Sequence, residues 1–443
     1  MARGLFLAVE EMREAESSTD KKSGLPPAAN SLETTLLDVN EEGANLEQGS
    51  DMLVEASDDI NTLDEVADTI EESAENGGMT PDAAKMAEVA VESIMRRQGM
   101  SMTYNPIPSM ESFARTSSRM SATKLSLEGI KETAGNLWKR FIDFINNIGE
   151  KIKDFFKRIT EGVLPKLKTR CEQLKNALAN AETIQTDIPA KGKSFAKHLR
   201  YNGELTPEKI NEGIKNVHDF TYKLSSVIVN FTDISTIKIE PNSDDGTIRT
   251  AVAVHKKQID NLGKILGWEE ENGYNYSPLF SGDKKLCFGA VKSDLPISEK
   301  ISEFFSNNKN AFKGFITKEY DSIKWKAPET IKVPEKKELE STLNDVERII
   351  ETLIIVKKDF DKVEKSLSFM RTIADKFKRL IGKDDDRTNM ARGVDNASLV
   401  TRMVYKSVIS YISSSISKFN SVGISTSKAY MDYVQSALVV KKD

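Results

Sequence analysis

The sequence predicts a mainly α-helical protein, a long-helix bundle with a small β element inserted near residues 234–326. Two observations support this fold class. Apolar residues recur every three or four positions over long stretches, as on one face of a helix. In addition, Lys284–Val291 follows a Ser-Gly-Asp turn and reads as a short strand. We expect the N-terminal ~128 residues to be acidic, partly disordered and built of short helices.

Charge is distributed unevenly along the chain, and the change falls at Glu128–Gly129. Residues 1–128 contain 25 acidic and 10 basic side chains, whereas residues 129–443 contain 43 acidic and 53 basic ones. The first part therefore carries a net charge of −15 and the second +10, although the whole chain carries only −5. An acidic segment ahead of a basic body suggests that one screens the other from nucleic acid.

The most regular amphipathic helix is predicted directly after this boundary, over residues 129–163. Its apolar stripe includes Ile130, Trp138, Phe141, Ile152 and Phe155. The polar face is basic and carries possible contacts to DNA or lipid at Lys131, Lys139, Arg140, Lys151, Lys153, Lys157 and Arg158. Pro165 should break this helix or start another.

We divide the chain into four regions. These are an acidic propeptide-like segment 1–128, a basic amphipathic helical region 129–231, a mixed α/β insert 232–334, and a long C-terminal αα-hairpin 335–443.

Finer expectations follow from local composition. Residues 17–50 read as linker, residues 51–76 as a helix without a deep core, and residues 98–125 as an exposed connector. Thr80-Pro81 should start a helix with Met86, Val89, Val91 and Ile94 on its apolar stripe. Further predictions are strands at 234–240 and near 323–326, loop-like structure at 188–205, one helix over 337–381, and a last helix from about Asn396 with a kink at Gly423.

Residues that could carry chemistry are few, and their spacing does not match known sites. The two cysteines, Cys171 and Cys287, fit a reducing compartment, and the three histidines lie far apart without metal-ligand spacing. The sequence contains no HExxH, Walker-type loop, GxSxG or CxxC. We therefore predict a non-enzyme without catalytic residues, cofactor or metal. Apolar runs are too short for a membrane span or a signal peptide, so we expect folding in a cytoplasm.

One short motif, Ser-x-Glu, repeats on the acidic side of the boundary. It occurs at 31–33, 73–75, Ser109-Met110-Glu111 and Ser126-Leu127-Glu128, and no glutamate after 128 has serine two positions before it. This confinement suggests a cleavage mark, although serine and glutamate are both frequent in an acidic segment.

The acidic segment, its Ser-x-Glu end and the following Trp- and Phe-containing basic helix resemble the internal head (inner core) proteins of large tailed bacteriophages with T4-like or jumbo heads. The resemblance rests on residues 109–160 and the general layout. It implies that a prohead protease cuts after Glu, with Glu128–Gly129 the favoured bond and Glu111 the second. It also implies a mature protein inside the phage head, with other head proteins, packaged DNA and a possible homo-oligomer as partners, after assembly in the host cytoplasm.

Two other readings remain open at this point. In one, helix 129–163 lies on an anionic membrane through its Phe, Ile and Trp face. This reading requires that face to be free of the other helices, and we regard membrane contact as the weaker alternative. In the other, the protein is an uncleaved scaffold whose acidic helices bind partners.

Overall fold

The computed structural model describes residues 27–100, 105–232, 237, 239–291, 301–319, 325–356, 359–381 and 387–438. Helices dominate these residues, which confirms the mainly α fold class. The α-helices are α1 Pro27–Glu75, α2 Pro81–Arg97, α3 Met110–Ala114, α4 Thr116–Lys157, α5 Leu164–Asn180, α6 Ser194–Leu199, α7 Pro207–Thr232, α8 Asp245–Leu266, α9 Ile301–Asn307, α10 Lys336–Val356, α11 Phe360–Ile381, α12 Arg387–Phe419 and α13 Ser425–Ala437.

The strands form two small antiparallel sheets. The larger has the order β2 (Glu269–Glu271), β3 (Tyr274–Tyr276), β4 (Lys284–Gly289) and β5 (Ile316–Glu319), within the predicted insert near 234–326. The smaller pairs β1 (Asp187–Pro189) with β6 (Thr330–Lys332). The prediction of loop-like structure at 188–205 is therefore wrong in part, because β1 and α6 lie in this stretch.

In the strands predicted at 234–240 and near 323–326, none of the described residues belongs to a strand. Positions 237, 239 and 240 lie outside any strand, and so do 325 and 326. The remaining positions of both segments lie outside the described residues.

The prediction of a linker over 17–50 is wrong for residues 27–50, which form the first half of α1. Val39, Leu46, Leu53, Ile60 and Ala67 recur every seven residues and are all buried. This is the spacing of a helical seam. Small side chains lie four residues after three of these positions, at Gly43, Ser50 and Ser57. The apolar pattern of residues 27–50 is therefore weak in the sequence, because Gly43 and Ser50 occupy two of its buried positions.

The expectation that residues 51–76 lack a deep core is also wrong. Their apolar side chains pack along α4 and α12 and belong to the main hydrophobic core. Small seam residues allow this close approach. A Cβ atom built on Gly43 would lie 3.3 Å from the Phe155 ring, and the Ser50 hydroxyl is 3.2 Å from the Ser410 hydroxyl.

Helix α4 begins at Thr116, well before the predicted start at 129, so the expected connector is wrong for residues 110–125. Small polar residues extend the helix there. The hydroxyls of Thr123 and Ser126 donate hydrogen bonds to carbonyls one turn earlier, at Arg119 and Ala122. Their polar atoms are thereby satisfied inside the helix, and both residues can be buried without aliphatic side chains.

Both predicted helix irregularities coincide with π-helical turns. One covers Arg158–Val163, just before Pro165 at the start of α5, and the other covers Asn420–Ile424 around Gly423. Proline has no N–H to donate and removes one α-helical hydrogen bond, which gives a physical reason for the first irregularity.

The C-terminal region contains more helices than predicted. The helix expected over 337–381 corresponds to α10 and α11, and residues 357–358 between them lie outside the described residues. Helix α12 begins at Arg387, nine residues before the predicted start, and packs mainly against α1, α7 and α8. The expected hairpin loop, 382–386, lies outside the described residues.

Helix α2 begins as predicted, with the Thr80 hydroxyl accepting a hydrogen bond from the Ala83 N–H and Pro81 in the first turn. Its buried face differs from the prediction, because Met86 and Val89 are exposed. The core side of α2 consists of Ala84, Ala87, Val91, Ile94 and Met95.

If α1 is part of the core, truncating one of its seam residues should destabilise the whole protein. We expect Leu53→Ala to lower the free energy of unfolding by about 3 kcal/mol, from lost burial and the cavity left behind. Urea denaturation measures this change. The control is Leu125→Ala, because Leu125 is exposed and its truncation should cost less than about 0.5 kcal/mol. Equal effects of the two variants would contradict the placement of α1.

Candidate functional site: the acidic helix and its cationic groove

Helix α1 contains 15 acidic residues and no lysine or arginine. Its apolar seam faces α4 and α12, while many of its carboxylates lie along the exposed side, among them Asp51, Glu55, Glu65 and Glu72. The acidic excess of the N-terminal region is therefore concentrated in a helix that belongs to the core.

Two cations of α12, Arg402 and Lys406, are buried beneath α1. Each has a side chain only 3% exposed, and they lie one helical turn apart. Arg402 donates to Asp64 at 2.7 Å and to the Asn61 side-chain oxygen at 2.9 Å. Lys406 donates to Asp58 at 2.6 Å. Both buried charges thus find their anions on α1.

The surroundings of these cations account for their burial. The Arg402 guanidinium also lies over the Trp138 ring, 5.3 Å from its centroid, and donates to the Ser398 hydroxyl at 2.8 Å. Burial lowers the pKa of Lys406, while the Asp58 carboxylate acts in the opposite direction and favours its charged form. The ammonium is therefore desolvated and depends on α1 for compensation.

Two further ion pairs connect the edges of α1 to its neighbours. Asp59 is almost fully buried, pairs with Arg97 at the end of α2, and accepts a hydrogen bond from the Gln98 side chain at 2.8 Å. Glu71 lies 3.7 Å from Lys131 on α4. The exposed Glu71–Lys131 pair contributes little on its own, so the pairs with a buried member, at Asp59, Arg402 and Lys406, are expected to dominate the electrostatic part of the contact.

The sequence suggested the basic face of α4, but not Arg402 and Lys406. The missed signal is that residues 397–417 contain no acidic residue that could pair with these two cations. A cation in such a helix needs an anion from another element.

The predicted contact residues on α4 have different surroundings. Lys131 pairs with Glu71, Arg140 donates to the Gln98 carbonyl, and Lys153 pairs with Glu364 at 3.0 Å. The other four are exposed, namely Lys139, Lys151, Lys157 and Arg158. Among the described residues, the first three of these make no ion pair.

The apolar face of α4 is covered within the chain. Ile130, Leu137, Phe141, Ile145 and Ile152 are fully buried, mainly against α1. The lipid-surface reading required this face to be free, and in this structure it is not. No helix among the described residues is long and apolar enough to span a membrane.

The favoured cleavage motif, Ser126-Leu127-Glu128, lies in the interior of α4. Ser126 is buried, and Gly129 is buried against Pro106, whose carbonyl oxygen would lie only 2.8 Å from an added Cβ atom. A protease would have to unwind the middle of a packed helix to reach the bond after Glu128.

The motif at Ser109-Met110-Glu111 has a different setting. Ser109 is exposed in extended backbone, and Glu111 is exposed in the first turn of α3, a helix of five residues. Phe113 fixes this short helix to the core. The 73–75 motif occupies the last turn of α1, with Glu75 exposed before Gly77. The 31–33 motif lies in the first part of α1.

The histidine and cysteine side chains that are suited to chemistry are either far apart or buried. No cluster of three or more His, Cys, Asp or Glu side chains arranged to hold a metal occurs in the described part of the chain. Burial lowers the pKa of His198 and of His255 to about 4, and raises that of Cys171 to about 11. Such histidines stay neutral and such a thiol stays protonated near neutral pH.

The nearest approach to a phosphate-binding loop is Gly192-Lys193-Ser194. A Walker-type loop has glycine five residues before its Gly-Lys-Ser, and this chain has Asp187 there. Ser194 opens a helix of only six residues, and Asp187 begins a strand of the two-stranded antiparallel sheet. The phosphate loop instead joins a strand to the helix whose N-terminus binds the anion.

The described residues form a helical scaffold in which α1 fills an apolar groove between α4 and α12. The carboxylates of α1 also pair with the buried cations of α12. The chain belongs to the phiKZ-like phage internal head proteins, whose family model matches residues 38–436. The match includes most of α1, so the acidic helix is part of what the family shares. The protein is therefore a structural component from inside a phage head.

Similarity to other curated proteins is distant. Elongation factor 4 of Listeria welshimeri serovar 6b, Listeria innocua serovar 6a and Listeria monocytogenes serotype 4a are each 22% identical over 290 residues. These matches cover 60% of this chain and 44% of each relative, so the chain spans less than half the length of these relatives. No solved structure matches the chain.

Proposed function

We propose that the protein is a non-enzymatic head component made as a precursor and cleaved after a Ser-x-Glu site, with Glu111 as the preferred position. The observation that supports this choice is the contrast between the two predicted sites. Glu111 lies in an exposed five-residue helix after extended backbone, whereas Glu128 lies in the middle of a packed 42-residue helix. Proteases cut folded proteins where few contacts hold the backbone.

The partners in this proposal are a prohead protease, which recognises the Ser-x-Glu motif, and other head proteins, to which the exposed carboxylates of α1 offer a charged surface. Self-association into a homo-oligomer belongs to the same proposal, as does folding in the host cytoplasm before the head is sealed. We do not propose that the protein binds a membrane surface, because the apolar face of α4 is covered.

Peptide mass spectrometry of purified particles tests the cleavage. After digestion on the amino side of aspartate, we expect a peptide of residues 112–142, and we expect Glu111→Gln to abolish it while Glu128→Gln leaves it unchanged. A peptide that begins at Gly129 instead would indicate cleavage before α4 folds. Continuous peptides across 105–135, without either new terminus, would contradict processing and favour the uncleaved scaffold.

Packaged DNA is a second proposed partner, supported by the exposed, unpaired lysines Lys139, Lys151 and Lys157 on α4. Three lysines that neutralise phosphates would give a log–log slope of affinity against salt concentration of about −3. Fluorescence anisotropy with duplex DNA measures this slope. Changing all three lysines to glutamine should remove most of this slope. An unchanged slope would exclude this face of α4 as the DNA-binding surface. Lys153→Gln is the matched control, because Lys153 already pairs with Glu364.

A further inference from the structure

We infer that the groove between α4 and α12 is a binding site for an acidic amphipathic helix, and that α1 remains in it as a separate chain after the connector is cut. The inference rests on the proposed cleavage, but its test does not. If it is correct, cleavage changes the connectivity of the protein without removing its acidic charge, and the mature head contains both fragments bound to one another.

The first argument is apolar contact. The side chains of α1 that are buried in the main core are Leu36, Val39, Leu46, Leu53, Ala56, Ile60, Leu63, Ala67 and Ile70. They extend over nine helical turns and meet a groove lined by large residues of α4, such as Phe141 and Phe155. Departure of α1 would expose this groove to water along most of its length, which opposes release.

The second argument is charge. Arg402 and Lys406 form the cationic part of the groove, and Asp64 and Asp58 are their carboxylate partners. Removing one partner of a buried ion pair is strongly unfavourable, because the remaining charge stays desolvated. An occupant of this groove must therefore place carboxylates six residues apart beside its apolar seam, as Asp58 and Asp64 do. This requirement defines the chemistry of the ligand as an acidic helix.

The third argument is shape. The seam of α1 has small residues where its neighbours come closest. Cβ atoms built on Gly43 and Gly49 would lie 3.3 Å from Phe155 and 3.6 Å from Ile148, and the Ser57 hydroxyl contacts the Met403 sulfur at 3.8 Å. The 3.3 Å distance at Gly43 is tighter than ordinary contact, so a larger side chain there would require the Phe155 ring to move, whereas 3.6 Å at Gly49 is an ordinary van der Waals distance.

The link between α1 and the next helix contributes little to this contact. Gly77 and Gly78 join α1 to α2 with φ angles of +96° and +93°. Residues that carry a side chain rarely adopt such angles. The groove contacts come from α4 and α12, both of which lie downstream of Glu111. A cut after Glu111 therefore breaks the backbone but leaves all these contacts in place.

The experiment uses the full chain with a site-specific protease recognition sequence inserted between Pro108 and Ser109. The uncut protein is first shown to elute as a folded species and is then cut to completion and diluted to micromolar concentration. We expect the two fragments to co-elute on size exclusion at both low salt and 1 M NaCl, since the apolar contact does not depend on charges that salt would screen. Separate elution of the fragments would overturn the inference. If this insertion prevents folding, the same insertion between Gly77 and Gly78 replaces it.

A pair of charge-matched variants tests the role of the buried cations. Asp58→Asn with Asp64→Asn should speed release of the acidic fragment about tenfold or more, because Arg402 and Lys406 lose their counterions. Glu65→Gln with Glu72→Gln makes the same change in net charge at exposed positions and should alter release by less than about twofold. Release is followed by exchange against labelled fragment. Equal rates in the two variants would show that the groove does not select its helix through these cations.

Discussion

Two buried cations on one face of α12 constrain how the rest of this protein is arranged. Desolvating an ammonium or guanidinium costs several kcal/mol, and only a well-placed anion compensates that cost. Arg402 and Lys406 lie a single turn apart, and their anions Asp64 and Asp58 lie six residues apart on the opposing helix. The ion pairs thus add a charge requirement to a 49-residue helix whose buried apolar residues follow a regular seven-residue repeat.

Small residues act together with these charges. Gly43, Ser50 and Ser57 lie where α1 approaches aromatic and sulfur-containing side chains or the serine-rich side of α12. They let the helices pack closely, and they also make the seam inconspicuous in the sequence. As a result the acidic helix belongs to the core of the protein, while many of its carboxylates lie on the exposed side. Some of these carboxylates pair with cations of other helices, as Glu71 does with Lys131.

The sequence allowed prediction of the elements whose apolar period is strong. The amphipathic face of α4 after residue 129, the regular helices of the C-terminal region and the strand at 284–289 were all predictable, because their large apolar side chains follow one clear period. The first half of α1 was not, since Gly43 and Ser50 interrupt its apolar pattern. For residues 51–76 a helix was predicted but its burial was not, since its charges suggested solvation. The burial of Ser126 was not predictable either, because a short motif gives no information on whether its backbone lies in an exposed turn or inside a packed helix. Arg402 and Lys406 were missed because their anions lie more than 300 residues away in the chain.

In this internal head protein, the acidic helix is a structural part of the fold. The most direct test of that claim is hydrogen–deuterium exchange of the uncut chain, followed by mass spectrometry of peptides from residues 46–70. We predict slow exchange, comparable to that of peptides from residues 400–416 in α12, because the seam of α1 opens only when the core does. Complete exchange within seconds, as in an unstructured acidic segment, would contradict the account.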